Sequence, residues 1–157
     1  MLEVLTQVLA WTLVVLFALV LGAQAFDAFV LVPLWSAHPP DSLDDFLQTP
    51  AAARVPRYFA RLLPVLLIVS LAVLALLPLL RAAASNWLFV AAACGLIHVG
   101  LVAGFFIPTN RRLGFLPSAS AATPSEKIAL VHAWVRWNYV RLVLDLLGLV
   151  SAARGVV

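Results

Sequence analysis

Long apolar runs separated by short polar connections dominate the hydropathy pattern of the chain. A helix needs about 20 predominantly apolar residues to cross the hydrocarbon core of a bilayer. Four runs reach that length, and each predicts a membrane-spanning helix. Their approximate bounds are Val4 to Leu34, Leu62 to Leu80, Trp87 to Ile107 and Ile128 to Ala153. The pattern predicts an all-α fold, a four-helix transmembrane bundle, as a single integral membrane domain over residues 1–157.

The connections between these runs have the chemistry of loops. Residues 35–57 are rich in proline and aspartate and have room for one short interfacial helix around Leu43 to Leu47. Residues 108–127 combine prolines with small residues. Ser125 and Glu126 favour the start of a helix there, because polar and acidic side chains satisfy the free backbone N–H groups of a first turn.

Composition and charge support a membrane protein rather than a soluble or nucleic-acid-binding one. Hydrophobic residues make up 64% of the chain and charged residues 11%, whereas a soluble domain carries about 25% charged residues. The net charge is +3, and most basic residues lie in the connections, where membrane topology explains them. We expect the lipid bilayer as a partner and no nucleic acid.

The distribution of basic residues also predicts an orientation. One side of the bundle carries Arg54, Arg57, Arg61, Arg111, Arg112 and Lys127. The opposite side carries Arg81 and Arg154. By the positive-inside rule, both termini are predicted on the non-cytoplasmic side. Abundant alanine and the excess of arginine over lysine indicate a GC-rich bacterial source, so we expect the bacterial cytoplasmic membrane.

A polar stripe runs along the last predicted span. At 100° per residue, several side chains fall within about 60° of the direction of Arg141. They are Trp134, Trp137, Asn138, Asp145 and Gly148. A charge near the middle of a membrane helix costs on the order of 3 kcal/mol on insertion scales. Arg141 is therefore expected to have a buried partner, a function, or both.

Two interpretations of this stripe remain open. In the structural one, Arg141 pairs with Asp145 along its own helix or with Asp27 of the first span, and the cluster only orients the helices. In the functional one, a pocket lined by the first, third and fourth spans holds a flat aromatic or quinone-like molecule. Arg141 and Asn138 would bind one of its oxygens, the tryptophans would stack on it, and His98 or Asp27 would move a proton.

Metal and cofactor chemistry have little support in the sequence. A metal site or haem needs several convergent ligands, and the chain has three histidines and one cysteine. His38 falls in a loop, and His132 projects away from Arg141 on the same helix. Cys94 lies in an apolar run and is interpreted as a small packing residue. We predict no metal and no cofactor.

Small residues and prolines predict how the helices pack. Gly100 and Gly104 form a G-x-x-x-G pair, which favours close helix contact and leaves a homo-oligomer through this pair open. Pro64 and Pro78 predict a bend in the second span.

Three motifs together resemble one protein family. Gly22-x-x-x-Phe26-x-x-Phe29-x-x-x-Pro33 ends the first span, Ile107-Pro108-Thr109-Asn110-Arg111-Arg112-Leu113 follows the third, and Trp134-x-x-Trp137-Asn138-x-x-Arg141 lies in the fourth. Their order and spacing are similar to those of the anthrone oxygenase-like family of small four-helix membrane proteins. The resemblance implies an integral membrane protein that oxidises polycyclic anthrones to anthraquinones without a recognised metal or flavin.

The resemblance also suggests site residues. Asn110 matches the asparagine of the family's P-x-N element, and Trp137, Asn138 and Arg141 match its W-N-x-x-R element. Tyr139 stands where many members carry a histidine, and it could replace that residue as a proton donor.

The sequence thus predicts a membrane-embedded oxygenase or oxidase acting on a lipophilic polycyclic aromatic or quinol-type molecule. The predicted catalytic residues are Arg141, Asn138, His98 and Asp27. The predicted substrate-binding residues are Trp134, Trp137, Asn110 and Tyr139. The alternative is a non-catalytic membrane protein, either an accessory subunit or a small carrier in which Asp27 binds a proton or cation.

Overall fold

The computed structural model describes residues 2–79, 82–117 and 122–156. Within these ranges the chain is helical and contains no strand. Leu80, where the second predicted span ends, lies outside the described residues. So does Arg81, one of the two arginines assigned above to the non-cytoplasmic side.

Five continuous helices make up the described part of the chain. The long helices α1, α3 and α4 cover residues 2–36, 50–79 and 82–113. The short helix α2 is Asp41–Leu47, and the long helix α5 is Pro124–Arg154. The predicted count of four helices is therefore not confirmed. The difference arises because the connection between the first two long helices folds into α2.

The short helix α2 is held by two buried side chains. Leu43 and Phe46 lie three residues apart, so they share one helical face, and both are buried. Asp41 and Asp44 occupy the first turn, where the helix dipole favours negative charge. This helix includes the segment in which the sequence allows a short helix.

Three helices are long and apolar enough to cross a membrane, by their length and composition. They are Glu3–Ser36, Pro50–Leu79 and Asn86–Leu113. The chain is therefore an integral membrane protein. The fourth predicted span lies in α5, which is as long as the others but carries more charge. Its basic and acidic residues are Glu126, Lys127, Arg136, Arg141, Asp145 and Arg154.

The four long helices pack in a ring. α5 contacts α1 and α4, α3 contacts α4, and α1 contacts α3. The inner face of α5 is the polar stripe expected from the sequence. Its buried residues include Trp134, Asn138, Arg141, Asp145 and Gly148.

Two of the long helices contain a π-helical turn, and both turns have the same cause. Asp27–Leu31 in α1 precedes Pro33, and Val102–Phe106 in α4 precedes Pro108. A proline within a helix lacks the N–H group and its ring displaces the carbonyl four residues earlier. The wider π-helical turn makes room for the proline ring. In each case the N–H group of the residue before the proline donates a hydrogen bond to the carbonyl five residues earlier, at Asp27 and Val102.

The interior divides into two ends with different packing. At the close-packed end, apolar side chains around Leu13, Phe17, Leu66 and Leu88 form one core cluster. At the aromatic end, a second cluster packs the last turns of α1 against α2, α4 and α5. It contains Val32, Trp35, Leu43, Phe46, Ala52, Phe106, Leu113, Val131 and Trp134. Both π-helical turns lie next to the aromatic end.

The G-x-x-x-G pair of α4 faces outward. A Cβ built at Gly100 or Gly104 would meet no atom of the described structure within 4 Å. Gly95, on another face of α4, instead lies against α3, where a Cβ would come within 2.4 Å of Ser70 Oγ. Close contact inside the bundle therefore uses Gly95, and an oligomer through the outward pair stays a prediction.

Candidate functional site

A cavity of about 420 Å³ lies at the aromatic end of the bundle. Its volume is in the range of about 300–1,000 Å³ that small-molecule pockets occupy. Apolar side chains make up most of its wall. The aromatic residues among them are Trp35, Phe46, Phe59, Phe106, Phe115 and Trp134. The polar residues of the lining are Asp27, Asn110 and Arg141.

Arg141 is held inside the bundle by a hydrogen bond and by aromatic rings, of which Phe106 is the nearest. Its side chain is 4% exposed, and Nη2 donates to Asn138 Oδ1 at 2.6 Å. The guanidinium carbon lies 3.8 Å from the centroid of the Phe106 ring. A cation over an aromatic face is stabilised by the ring quadrupole, more so away from water. Nε has no protein partner among the described residues.

Asn138 is a positioning residue for this cation. It is buried, and its backbone oxygen accepts a hydrogen bond from Gln24 Nε2 at 3.3 Å. The side chain of Asn138 does not line the cavity. Its amide therefore fixes Arg141 from behind while the guanidinium faces the open space.

Asn110 and Trp134 form one polar contact in the cavity wall. Trp134 Nε1 donates to Asn110 Oδ1 at 2.8 Å. The Trp134 ring also meets the edge of Trp35 with 4.9 Å between centroids. Asn110 follows the π-helical turn of α4 and Trp134 precedes Arg141 on α5, so this contact joins two helices beside the cation.

Asp27 faces the same cavity from α1. It is the first residue of the π-helical turn Asp27–Leu31, it is 6% exposed, and it lines the cavity with Arg141. The two groups interact electrostatically. Among the described residues, however, no ion pair joins them, and no protein group hydrogen-bonds the Asp27 carboxyl. A carboxyl and a guanidinium are thus both available to a molecule in the cavity.

His98 belongs to a different polar contact. Its Nδ1 is hydrogen-bonded to Asp145 Oδ1 at 2.6 Å, and both side chains are fully buried. Neither residue lines the cavity. Among the described residues, Asp145 therefore pairs with His98, and the structure contains neither the Arg141–Asp145 pair nor the Arg141–Asp27 pair considered from the sequence.

The remaining predicted site residues lie farther out. Tyr139 is 47% exposed on the outer face of α5, and its ring lies 6.4 Å from that of Phe29, between centroids. Trp137 is half-buried and packs against Phe105, with 5.8 Å between ring centroids. Neither residue lines the cavity.

The second long helix, α3, forms one wall of the cavity, although the sequence did not predict it there. α3 contributes Ala52, Val55, Pro56, Phe59, Ala60, Leu63, Pro64 and Leu67 to the lining. The sequence assigned the pocket to the first, third and fourth spans, because the polar residues lie there. The sequence did contain a steric sign that α3 lines the cavity. Alanine and proline alternate at intervals of four residues on one face of this helix, and such small side chains leave space beside it.

Fold and site define a class: helical integral membrane proteins with a cation and a carboxyl facing an apolar interior cavity. The family model described as anthrone oxygenase matches residues 52–151, which is more than half of the chain. The chain belongs to this family, as its motifs indicated. The matched range contains Asn110, Asn138 and Arg141 but not Asp27. No curated protein and no solved structure matches the chain.

Proposed function

We propose that this chain is a membrane oxidoreductase of the oxygenase type that oxidises a lipophilic polycyclic aromatic, with anthrones as the leading substrate class. One observation carries the proposal: a guanidinium and an unpaired carboxyl face the same apolar cavity from different helices. Oxidation of an anthrone needs one group to remove a proton and another to bind the resulting oxyanion. Membership of the anthrone oxygenase family supports the same chemistry.

In the proposed reaction, Asp27 acts first. As a carboxylate it removes a proton from the ring CH₂ group that lies opposite the carbonyl, so a C–H bond breaks and its electron pair delocalises onto the carbonyl oxygen. Arg141 donates hydrogen bonds to that oxygen. In an apolar cavity a fixed cation stabilises developing negative charge strongly, because little water competes for it.

Dioxygen is the oxidant of the second stage. The electron-rich carbon forms a C–O bond with dioxygen and, after protonation by Asp27, gives a hydroperoxide. Loss of the remaining C–H proton then forms the new C=O bond and breaks the O–O bond, and hydroxide leaves with that proton as water. One anthrone and one dioxygen thus give one anthraquinone and one water, a four-electron oxidation in which Arg141 and Asp27 are regenerated.

The roles of the other candidates follow from their contacts. Asn138 positions the guanidinium through the 2.6 Å hydrogen bond. Trp134 provides an aromatic wall for the ring system, and its bond to Asn110 Oδ1 keeps that wall in place. His98 does not line the cavity, so the proposal assigns direct proton transfer to Asp27.

The membrane arrangement is part of the proposal. We take α5 as a fourth spanning helix, because Arg141 and Asp145 face inward and its outer face carries Val143, Leu146, Leu147 and Val150. The basic residues near the aromatic end then lie in the cytoplasm, with both termini outside it. Alkaline phosphatase fused after Val157 is expected to be active, and green fluorescent protein at the same place dark. The reverse pattern would contradict this orientation.

Arg141 can be tested against a second arginine on the same helix. Arg141→Ala is expected to lower turnover of an anthrone in membranes by a factor of about 100 to 1,000, because the oxyanion loses its donor. Arg136→Ala removes an exposed arginine and is expected to leave turnover unchanged. Oxygen uptake and anthraquinone absorbance measure both. Undiminished turnover in Arg141→Ala would overturn the assignment.

A further inference from the structure

We propose that substrate reaches the cavity sideways from the bilayer, through a mouth between α3 and α4 whose width is set by Ala60 and Ala103. The mouth is defined by four rim residues, Ala60, Pro64, Ala103 and Ile107. This inference rests on the proposed function, since it gives the cavity a route for a lipophilic ring system. It also names the residues that select substrates by shape.

The exposure of the lining residues locates the mouth. Most of the cavity wall is buried or half-buried. The lining residues that are also exposed are Ala60, Pro64, Ala103 and Ile107. All four lie on α3 and α4, within helical segments long and apolar enough to cross a membrane. The cavity therefore opens to the lateral surface of the bundle between these two helices.

The end of the bundle nearest the loops is closed by aromatic side chains. Trp35 is 2% exposed and packs edge-on against Phe115 with 5.4 Å between ring centroids. Phe46 of α2 is also buried, and its ring meets that of Phe115 at 6.3 Å. Among the described residues, these rings lie between the cavity and the loop side of the bundle.

The two helices separate at the mouth because of local backbone geometry. They are in close contact at Gly95, where a Cβ would lie 2.4 Å from Ser70 Oγ and 3.4 Å from a methyl carbon of Leu66. Toward the mouth, α4 enters its π-helical turn, and α3 contains Pro64 in its interior. Both features change the course of a helix. The gap therefore coincides with a backbone irregularity on each of the two helices.

The rim has the chemistry of a passage for flat apolar molecules. Its side chains are small or aliphatic, and two are alanines on opposing helices. The exposed Arg61 directly follows Ala60, which brings that part of the rim near the headgroup level, since an exposed arginine is costly at hydrocarbon depth. Pro64 lies one turn deeper. A polycycle with an oxygen at one edge, resting at the interface, could slide in with its ring plane between the helices.

Narrowing the mouth tests the proposal. In purified protein in nanodiscs, Ala103→Phe is expected to slow association of anthraquinone about tenfold, followed by stopped-flow quenching of intrinsic tryptophan fluorescence. Association of single-ring benzoquinone should change much less, because a smaller ring passes a narrower gap. Ile97→Phe is the matched control, since Ile97 is 52% exposed on the same helix and does not line the cavity.

A second variant narrows the gap from the opposite helix. Ala60→Phe is expected to slow anthraquinone in the same way, and it keeps the test decisive if Ala103→Phe does not fold. Equal anthraquinone association in the wild type and in every folded mouth variant would overturn the proposal. Equal slowing of both ring sizes would also overturn it, because selection by shape would be absent.

Binding and turnover separate this inference from the proposed function. If the wild-type protein binds anthraquinone at a rate that depends on Ala60 and Ala103 but oxidises no anthrone, the mouth is supported and the oxygenase assignment is overturned. If the protein oxidises anthrones but Ala103→Phe leaves the association rate of anthraquinone unchanged, the oxygenase assignment stands and the mouth is overturned.

Discussion

The two ends of the bundle use the same four long helices in opposite ways. At the close-packed end, glycines allow direct contact: a Cβ at Gly148 would meet the Phe17 ring at 2.4 Å, and one at Gly155 would meet Leu88 at 2.9 Å. At the aromatic end, π-helical turns and prolines hold the helices apart around a cavity of about 420 Å³. The comparison indicates that one end anchors the bundle so that the other can stay open.

Buried polar groups follow the same division. His98 and Asp145 bond to each other at 2.6 Å away from the cavity. Asp27 and Arg141, in contrast, face the cavity without an ion pair between them among the described residues. Removing one partner of a buried pair is costly because the other is left uncompensated, whereas groups that face a space can interact with a ligand. Variants at each of these groups test this separation of roles.

The largest expected effect concerns the carboxyl at the cavity. Asp27→Asn keeps the shape of the side chain but removes the proposed base, so anthrone turnover is expected to fall by a factor of about 100 or more. His98→Gln keeps a hydrogen-bond donor toward Asp145, and it should retain most of the turnover. Oxygen uptake per folded molecule measures both. Equal losses in the two variants would contradict the separation of roles.

The next effect concerns stability at the buried pair. His98→Leu leaves the Asp145 carboxyl fully buried without its partner, and such a loss costs about 3–5 kcal/mol. His98→Leu combined with Asp145→Leu should restore most of the free energy of unfolding, because two apolar side chains need no partner. Reversible unfolding in mixed SDS micelles gives the double-mutant cycle. If the cycle shows no coupling energy, the interaction between His98 and Asp145 does not contribute to the free energy of unfolding.

The inner face of the last helix could be predicted from the sequence, because helical periodicity alone brings Trp134, Asn138, Arg141 and Asp145 to one side. The partner of each group could not. Asp145 lies one turn from Arg141 along α5, yet it bonds to His98, since partner choice depends on how neighbouring helices are rotated.

The cavity wall shows the same limit. Arg141 and Asp27 were candidates because charge is unusual at membrane depth, and both line the cavity. Phe106 carries no such signal, although its ring lies 3.8 Å from the guanidinium carbon of Arg141. Phe106 is the last residue of the π-helical turn Val102–Phe106, whose wider geometry a regular helical wheel does not include. Steric features such as this one decide which apolar residues face the cavity.

A pair of glycines tests the contrast in packing. Gly148→Ala is expected to lower the free energy of unfolding by about 1–3 kcal/mol, because the fully buried Phe17 ring must move to admit a methyl group. Gly100→Ala is the control, since nothing lies within 4 Å of its added Cβ. It should leave unfolding of the monomer unchanged or slightly favour the helix. Equal losses in both variants would contradict the assignment of close packing to Gly148.

The smallest effect lies at the exposed start of α5, beside the aromatic end. Glu126 and Thr123 form a capping box: Thr123 N donates to Glu126 Oε2 at 2.8 Å, and Glu126 N donates to Thr123 Oγ1 at 3.4 Å. Thr123→Ala should cost about 1 kcal/mol. The Thr123 backbone N–H, then the Thr123 hydroxyl and Arg112, lower the pKa of Glu126.

A lowered pKa means that the folded state favours the carboxylate of Glu126, so its contribution is complete above the unfolded-state pKa. It is lost as the pH falls through the lower pKa of the folded state. Glu126→Gln should therefore flatten the pH dependence of unfolding in the acidic range. Water screens the charges of an exposed cap, so losing the cap should lower the free energy of unfolding less than losing the His98–Asp145 pair. A larger loss of stability at the cap would contradict the view that the close-packed end anchors the bundle.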